Sequence, residues 1–136
     1  MDESFRKYAQ HSGIKALAVY GGVALEPQTK ALKKGVDVVI ATPGRLLDHL
    51  ERQNVVFDDL EILVLDEADR MLDMGFAPQI NRVVAEIPKY RQTMLFSATM
   101  PPEVEALSRK YLRKPHVVQV GRRSMPASGV THAVYP

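Results

Sequence analysis

Short apolar runs alternate along this chain with segments whose apolar residues recur every three or four positions, from Asp2 to Val120. Asp2 to Ser12 reads as a helix with Phe5, Tyr8 and Ala9 on one face and Gly13 as its stop. Leu17 to Tyr20 reads as a strand ended by Gly21-Gly22, and Pro27 to Lys34 as a helix closed by Gly35. Val36 to Ala41 is rich in β-branched residues and predicts a strand. Thr42-Pro43 then suits an N-cap with proline at the first helical position, and Leu46, Leu47 and Leu50 mark the buried face of that helix. Ile62 to Leu65 predicts a fully buried strand. A helix from Ala77 to Glu86 follows, with Ile80, Val83, Val84 and Ile87 at helical spacing before Pro88. Thr93 to Phe96 is expected as a strand, Pro102 to Leu112 as a helix and Val117 to Val120 as a last strand.

Strands alternating with helices across short connections imply parallel pairing. The fold class expected is therefore α/β, a parallel sheet flanked by helices. Gly121 to Pro136 breaks the pattern with Gly121, Pro126, Gly129 and Pro136 and reads as a linker, with His132 to Tyr135 as the start of a further strand.

The chemistry sits where predicted strands end. Ile62 to Leu65 delivers Asp66, Glu67 and then Asp69. Open α/β sheets place ligands at the carboxyl ends of their strands. Carboxylates there suit a hydrated Mg²⁺, held through water by Asp66, and a lytic water oriented or deprotonated by Glu67. Acids are also common where a strand simply ends in solvent. Two neighbours shift the balance: Asp69 at the mouth of the same turn, and Ser97-Ala98-Thr99 at the end of the next strand. An Asp69 carboxylate accepting from Ser97 or Thr99 would tie the two strand ends together. Thr42-Pro43-Gly44-Arg45 offers helix-start amides, a hydroxyl and a guanidinium to a phosphate. Capping alone explains Thr42 and Pro43, whereas Arg45 opposes the helix dipole. Gly21-Gly22 is a turn or a place of close backbone approach.

Composition adds little and removes several classes. The 136 residues carry 18 Lys and Arg against 16 Asp and Glu, a net charge of +2 that does not by itself imply nucleic acid. Arg109, Lys110, Arg113, Lys114, Arg122 and Arg123 crowd the last third, as a solvated face and tail would. There is no cysteine, hence no disulfide and no thiolate metal site. No apolar run is long enough to cross a membrane, and a cytoplasmic location is expected. His11, His49, His116 and His132 lack metal-ligand spacing and read as surface residues. Met71, Met74, Met94 and Met100 read as core and hinge filler, and Arg70 as a partner for nearby acids. The 136 residues contain no Gly-x-x-x-x-Gly-Lys-Ser/Thr phosphate cradle.

The spelling Asp66-Glu67-Ala68-Asp69, with Ser97-Ala98-Thr99 beyond it, resembles the DEAD-box family of ATP-dependent RNA helicases. Val19-Tyr20-Gly21-Gly22 is similar to that family's double-glycine motif and Ala41 to Arg45 to its RNA-contacting motif Ib. Asp73-Met74-Gly75-Phe76 also sits as the family has it. The resemblance implies that residues 1–120 are part of the first of two RecA-like domains, without the P-loop strand, and that 121–136 lead toward a second. It implies ATP and Mg²⁺ as cofactors and RNA as partner. Asp66 and Glu67 would be catalytic, and Asp66, Glu67 and Asp69 would face the nucleotide. Gly21, Gly22, Thr42, Pro43, Gly44 and Arg45 would face RNA, and Asp69, Ser97, Ala98 and Thr99 would serve interdomain coupling. The P-loop and adenine-reading motif would precede Met1, and the arginine fingers would follow Pro136, so the chain is expected to be a fragment, inactive alone. A sheet lacking its P-loop strand would expose an apolar edge open to dimerisation. Two other readings stay open: a non-catalytic RNA-binding remnant, and an unrelated metal-dependent phosphohydrolase domain.

Overall fold

The computed structural model describes residues 2–120. The elements follow in the order α1 (Asp2–Ala9), β1 (Ala16–Val19), α2 (Leu25–Lys33), β2 (Val38–Ala41), α3 (Pro43–Glu51), β3 (Ile62–Leu65), α4 (Ala68–Asp73), α5 (Ala77–Ala85), β4 (Gln92–Leu95) and α6 (Pro102–Tyr111). The described backbone divides into two compact units, one of residues 2–61 and 74–91, the other of 62–73 and 92–120.

In the first unit β1 and β2 pair in parallel, with Ala16 opposite Val38 and Val19 opposite Ala41. The Thr42 N–H extends the ladder by donating to the Val19 carbonyl at 3.0 Å. Gly35, at φ +84°, takes the left-handed conformation that ends α2, where its N–H donates to the Leu32 carbonyl at 3.0 Å. Val19, Leu32, Leu47, Ile80, Val83 and Ile87 form the core. Helix α3 packs on α5, and an exposed Arg82–Glu51 ion pair joins them.

In the second unit β3 and β4 pair in parallel, Ile62 opposite Gln92 and Leu65 opposite Leu95. Leu65, Ala68, Val104 and Leu107 are buried, and α6 packs on α4.

The parallel α/β class is as expected, but several local expectations are corrected. The described strands form two two-stranded ladders rather than one sheet. β3 is not fully buried: Ile62 is 52% and Val64 47% exposed, while Leu65 is covered. Alternate residues of a strand point to opposite faces, and only one face of β3 is lined by core. Val117 to Val120 form no strand; Val118 is 82% exposed, because β-branched residues need a ladder partner and none of the described strands supplies one. Met74 and Met100, read as core and hinge filler, are exposed, and His49 is wholly buried, not a surface residue. The expected linker 121–136, with His132 and the strand start, lies outside the described residues.

Candidate functional site

The acid-bearing turn grows directly out of the β3–β4 ladder. The Phe96 N–H donates to the Leu65 carbonyl at 2.8 Å, and the Ala68 N–H donates back to the Phe96 carbonyl at 3.0 Å. Asp66 and Glu67 are thus held between two fixed points. Glu67 sits in left-handed backbone, φ +51°, a conformation that costs a non-glycine residue on the order of 1 kcal/mol or more. Two contacts hold it there. Asp66 Oδ1 accepts from the Glu67 N–H at 2.9 Å, and the Glu67 carbonyl accepts the first bond of α4 from Met71 at 2.9 Å. The Glu67 side chain is exposed, with Oε2 accepting from Arg70 Nη1 at 3.0 Å. Arg70 therefore does pair with a nearby acid.

Asp69 meets the end of β4. Its Oδ2 accepts from the Thr99 hydroxyl at 2.7 Å and from the Thr99 N–H at 2.8 Å, and its Oδ1 accepts from the Arg70 N–H at 3.0 Å. Its own N–H donates to Ser97 Oγ at 3.1 Å. The Thr99 hydroxyl, with the Thr99 and Arg70 backbone amides and Ser97 behind it, holds the Asp69 carboxyl down at about 2 against the opposing effect of burial. The carboxylate is therefore ionised throughout the physiological range. Ala98 lies between the two hydroxyl residues. Asp66, Glu67, Asp69, Arg70, Phe96 and Ser97 line an open depression of 520 Å³.

Among the described residues no three carboxylates or imidazoles converge to cage an ion. The donor set suits Mg²⁺ all the same. That ion keeps most of its water, and one or two carboxylates beside substrate phosphates suffice. One Asp66 oxygen is engaged by the Glu67 N–H, which orients the carboxylate, and Asp66 lines the depression.

The other expected residues gather in the first unit. Gly21 and Gly22 follow β1, and Gly22 needs its φ of +81° to turn the chain. Neither glycine's absent Cβ would meet a heavy atom within 4 Å. The Gly21 and Gly22 amides make no hydrogen bond with the described residues. Thr42 is the N-cap of α3, but its hydroxyl makes no capping bond. Pro43 at the first turn has no N–H to cap, and the Leu46 N–H is taken by the Thr42 carbonyl at 3.1 Å. Arg45 Nη2 donates to the Val23 carbonyl at 3.0 Å and Nη1 to Gln28 Oε1 at 3.2 Å. A cation in the first turn of α3 thus has protein acceptors of its own. Gln28 also meets the buried His49, whose Nε2 lies 3.1 Å from Oε1. Sequence reasoning passed over Gln28 and Asn54 and placed His49 at the surface. The available signal was Arg45 and His49 four residues apart on one helix face, and the polar pair Gln28-Thr29 interrupting the apolar face of α2.

Parallel strand pairs flanked by helices, with acids and hydroxyls at the carboxyl ends of one pair, define an α/β protein of RecA-like type. The chain belongs to the DEAD/DEAH box helicase family, which matches residues 1–107. It is 48% identical over 128 residues to DEAD-box ATP-dependent RNA helicase 30 of Arabidopsis thaliana, covering 94% of this chain and 22% of that protein. With DEAD-box ATP-dependent RNA helicase 20 of the same plant it shares 51% identity over 122 residues, 90% of this chain and 24% of the relative. With ATP-dependent RNA helicase DeaD of Mycobacterium tuberculosis it shares 42% over 132 residues, 96% of this chain and 23% of the relative. The chain thus spans between a fifth and a quarter of the length of these relatives. Among the described residues no helix is long and apolar enough to cross a membrane.

Proposed function

We propose that this chain supplies the hydrolytic acids and part of the RNA-backbone contact of an ATP-dependent RNA helicase. The observation that carries the reading is the Asp69 tie. One carboxylate on the acid-bearing turn accepts both the hydroxyl and the amide of Thr99, so a shift of the turn is felt at the end of the neighbouring strand.

In this reading Glu67 is the base or water-orienting group, and its strained backbone supports that role, since strain is retained where geometry serves function. Asp66 would hold Mg²⁺ through water. When bound, that ion neutralises developing charge on the phosphates. Asp69, Ser97, Ala98 and Thr99 couple the acid turn to the rest of the domain. In the first unit, the unbonded amides of Gly21 and Gly22 and the α3 start from Thr42 to Arg45 face an RNA phosphate. Such contacts position the strand and carry no base identity. Residues 1–120 act as part of a first RecA-like domain, and 121–136 as a linker toward a second.

The test is Glu67→Gln in a two-domain relative whose matching segment is replaced by residues 1–107. Glutamine keeps shape and hydrogen bonding but is no base. RNA-stimulated phosphate release should fall by roughly 10²–10⁴-fold with nucleotide binding nearly unchanged. Equal loss of binding and turnover would assign Glu67 a structural role instead.

A further inference from the structure

Two of the three buried residues of α2 are polar, Gln28 at 6% and Thr29 at 9% exposure. A buried carboxamide is costly unless its groups are bonded. Gln28 Nε2 donates to the Tyr20 carbonyl at 3.1 Å, and Oε1 accepts from Arg45 Nη1 at 3.2 Å. The orientation of the amide follows from its partners. A carbonyl only accepts and a guanidinium only donates, so a flipped Gln28 would face both wrongly. The remaining contacts then follow in turn. His49 Nε2, 3.1 Å from Oε1, must carry the proton and donate. His49 Nδ1 accepts from Asn54 Nδ2 at 3.2 Å, and Asn54 also donates to Thr29 Oγ1 at 3.2 Å. The Thr29 hydroxyl donates in turn to the Leu25 carbonyl at 3.2 Å.

The loop from Tyr20 to Val23 is bracketed by this cluster. Its first carbonyl is held by Gln28, and its last, that of Val23, by Arg45, which Gln28 also holds. Between the brackets lie the two glycines, whose amides make no hydrogen bond among the described residues. A leucine or methionine at position 28 would fill the same space without burying an amide, but would give direction to none of these groups.

We propose that Gln28 is a positioning residue for the RNA-backbone contact: buried and unable to touch a phosphate, it fixes the Gly21-Gly22 amides and the Arg45 guanidinium in one arrangement. This rests on the RNA reading of Gly21-Gly22 and Thr42 to Arg45 proposed above.

Two measurements on the 136-residue chain separate the proposal from that reading. The first is the backbone ¹⁵N order parameter of Gly21 and Gly22, which needs no RNA. In the wild type it should be near that of ordered backbone, about 0.85, and in Gln28→Leu it should drop below about 0.6 with the β3–β4 amides unchanged. A global loss of stability would not confine the change to this loop. The second is anisotropy of fluorescein-labelled decauridylate titrated at two salt concentrations. Gln28→Leu should bind about fivefold more weakly with the salt slope of the wild type, because no phosphate contact is removed. Unchanged glycine order parameters, or a loosened loop with unchanged RNA affinity, would overturn the proposal. A wild-type chain that does not bind decauridylate overturns the RNA reading, while the order parameters still decide whether Gln28 holds the loop. Should Gln28→Leu fail to fold, Gln28→Glu keeps an oxygen for Arg45 and His49 and, as a carboxylate, sets a second oxygen against the Tyr20 carbonyl in place of the donor. It should loosen the glycines as well, and unchanged order parameters in that variant would again overturn the proposal.

Discussion

Arg45 carries two separable duties, and two substitutions pull them apart. Its guanidinium has five N–H donors, of which the Val23 carbonyl and Gln28 Oε1 each take one, leaving three for a phosphate. Arg45→Ala removes one positive charge and both tethers. On single-stranded RNA each neutralised phosphate contributes about 0.7 to the slope of log affinity against log salt. A slope smaller by roughly 0.7 means that the wild-type advantage shrinks by about 2.6-fold between 50 and 200 mM salt. The tethers add a part that salt does not screen, about fivefold for one hydrogen bond of roughly 1 kcal/mol. Arg45→Lys keeps the charge but concentrates its donors at one point, so it cannot reach two acceptors and a phosphate together. It should show the wild-type slope with only the salt-independent loss. Anisotropy titrations of labelled decauridylate at four salt concentrations read both quantities. An Arg45→Ala slope equal to that of the wild type would leave Arg45 as a tether with no phosphate, and an Arg45→Lys affinity equal to wild type would leave it as a charge with no tether.

In a two-domain protein carrying this segment, Ser97→Ala with Thr99→Ala should impair strand unwinding more than nucleotide binding; a double-mutant cycle with Asp69→Ala decides it, since additive losses would mean the groups do not communicate. The Asp69 carboxyl, followed by its ¹³C shift, should titrate with a midpoint at about 2, and Thr99→Val should move it up toward 3.8 while the amide bond to Thr99 keeps part of the shift. Because the folded value is the lower one, the tie is complete above the unfolded carboxyl's range and is lost as pH falls toward 2. His49→Ala should lower the urea-unfolding free energy by about 2–4 kcal/mol, from two lost hydrogen bonds and the space left by the ring. Burial first, then the Arg45 charge, holds the His49 imidazole below its ordinary range, so its contribution is full above the unfolded value and fades as pH falls below it. Wild type should therefore lose stability relative to His49→Gln between pH 7.5 and 5, and parallel pH curves would refute the neutral Nε2–H assignment.

The elements most legible in the sequence were those whose own residues settle them. Ile62 to Leu65 is a strand with the bounds expected, and the helix after Thr42-Pro43 begins at Pro43. Asp69 could be set against Ser97 or Thr99 in advance because all three sit just past the ends of adjacent apolar runs, and it is Thr99 that donates to its carboxylate. What was hidden depends on contacts between distant residues. Nothing local to His49 announces that Gln28, 21 positions away, and Asn54 enclose its ring. The loss of Val117 to Val120 as a strand is the same lesson reversed: propensity needs a neighbour to act upon. The left-handed backbone of Glu67 was equally unreadable, since a glutamate gives no sign of it.

The chain passes between its two compact units three times, after Glu61, after Asp73 and after Arg91. Neither unit is a contiguous stretch of polypeptide, which matters during synthesis. Helix α5 arrives from a segment made after the first strand and acid turn of the other unit, so the earlier residues must wait on the ribosome with α3 uncovered. The β3 strand must wait likewise for β4 while 74–91 are being added. Folding of the two units is thus interlocked in time, and the acid turn closes only once residues near Thr99 have left the exit tunnel.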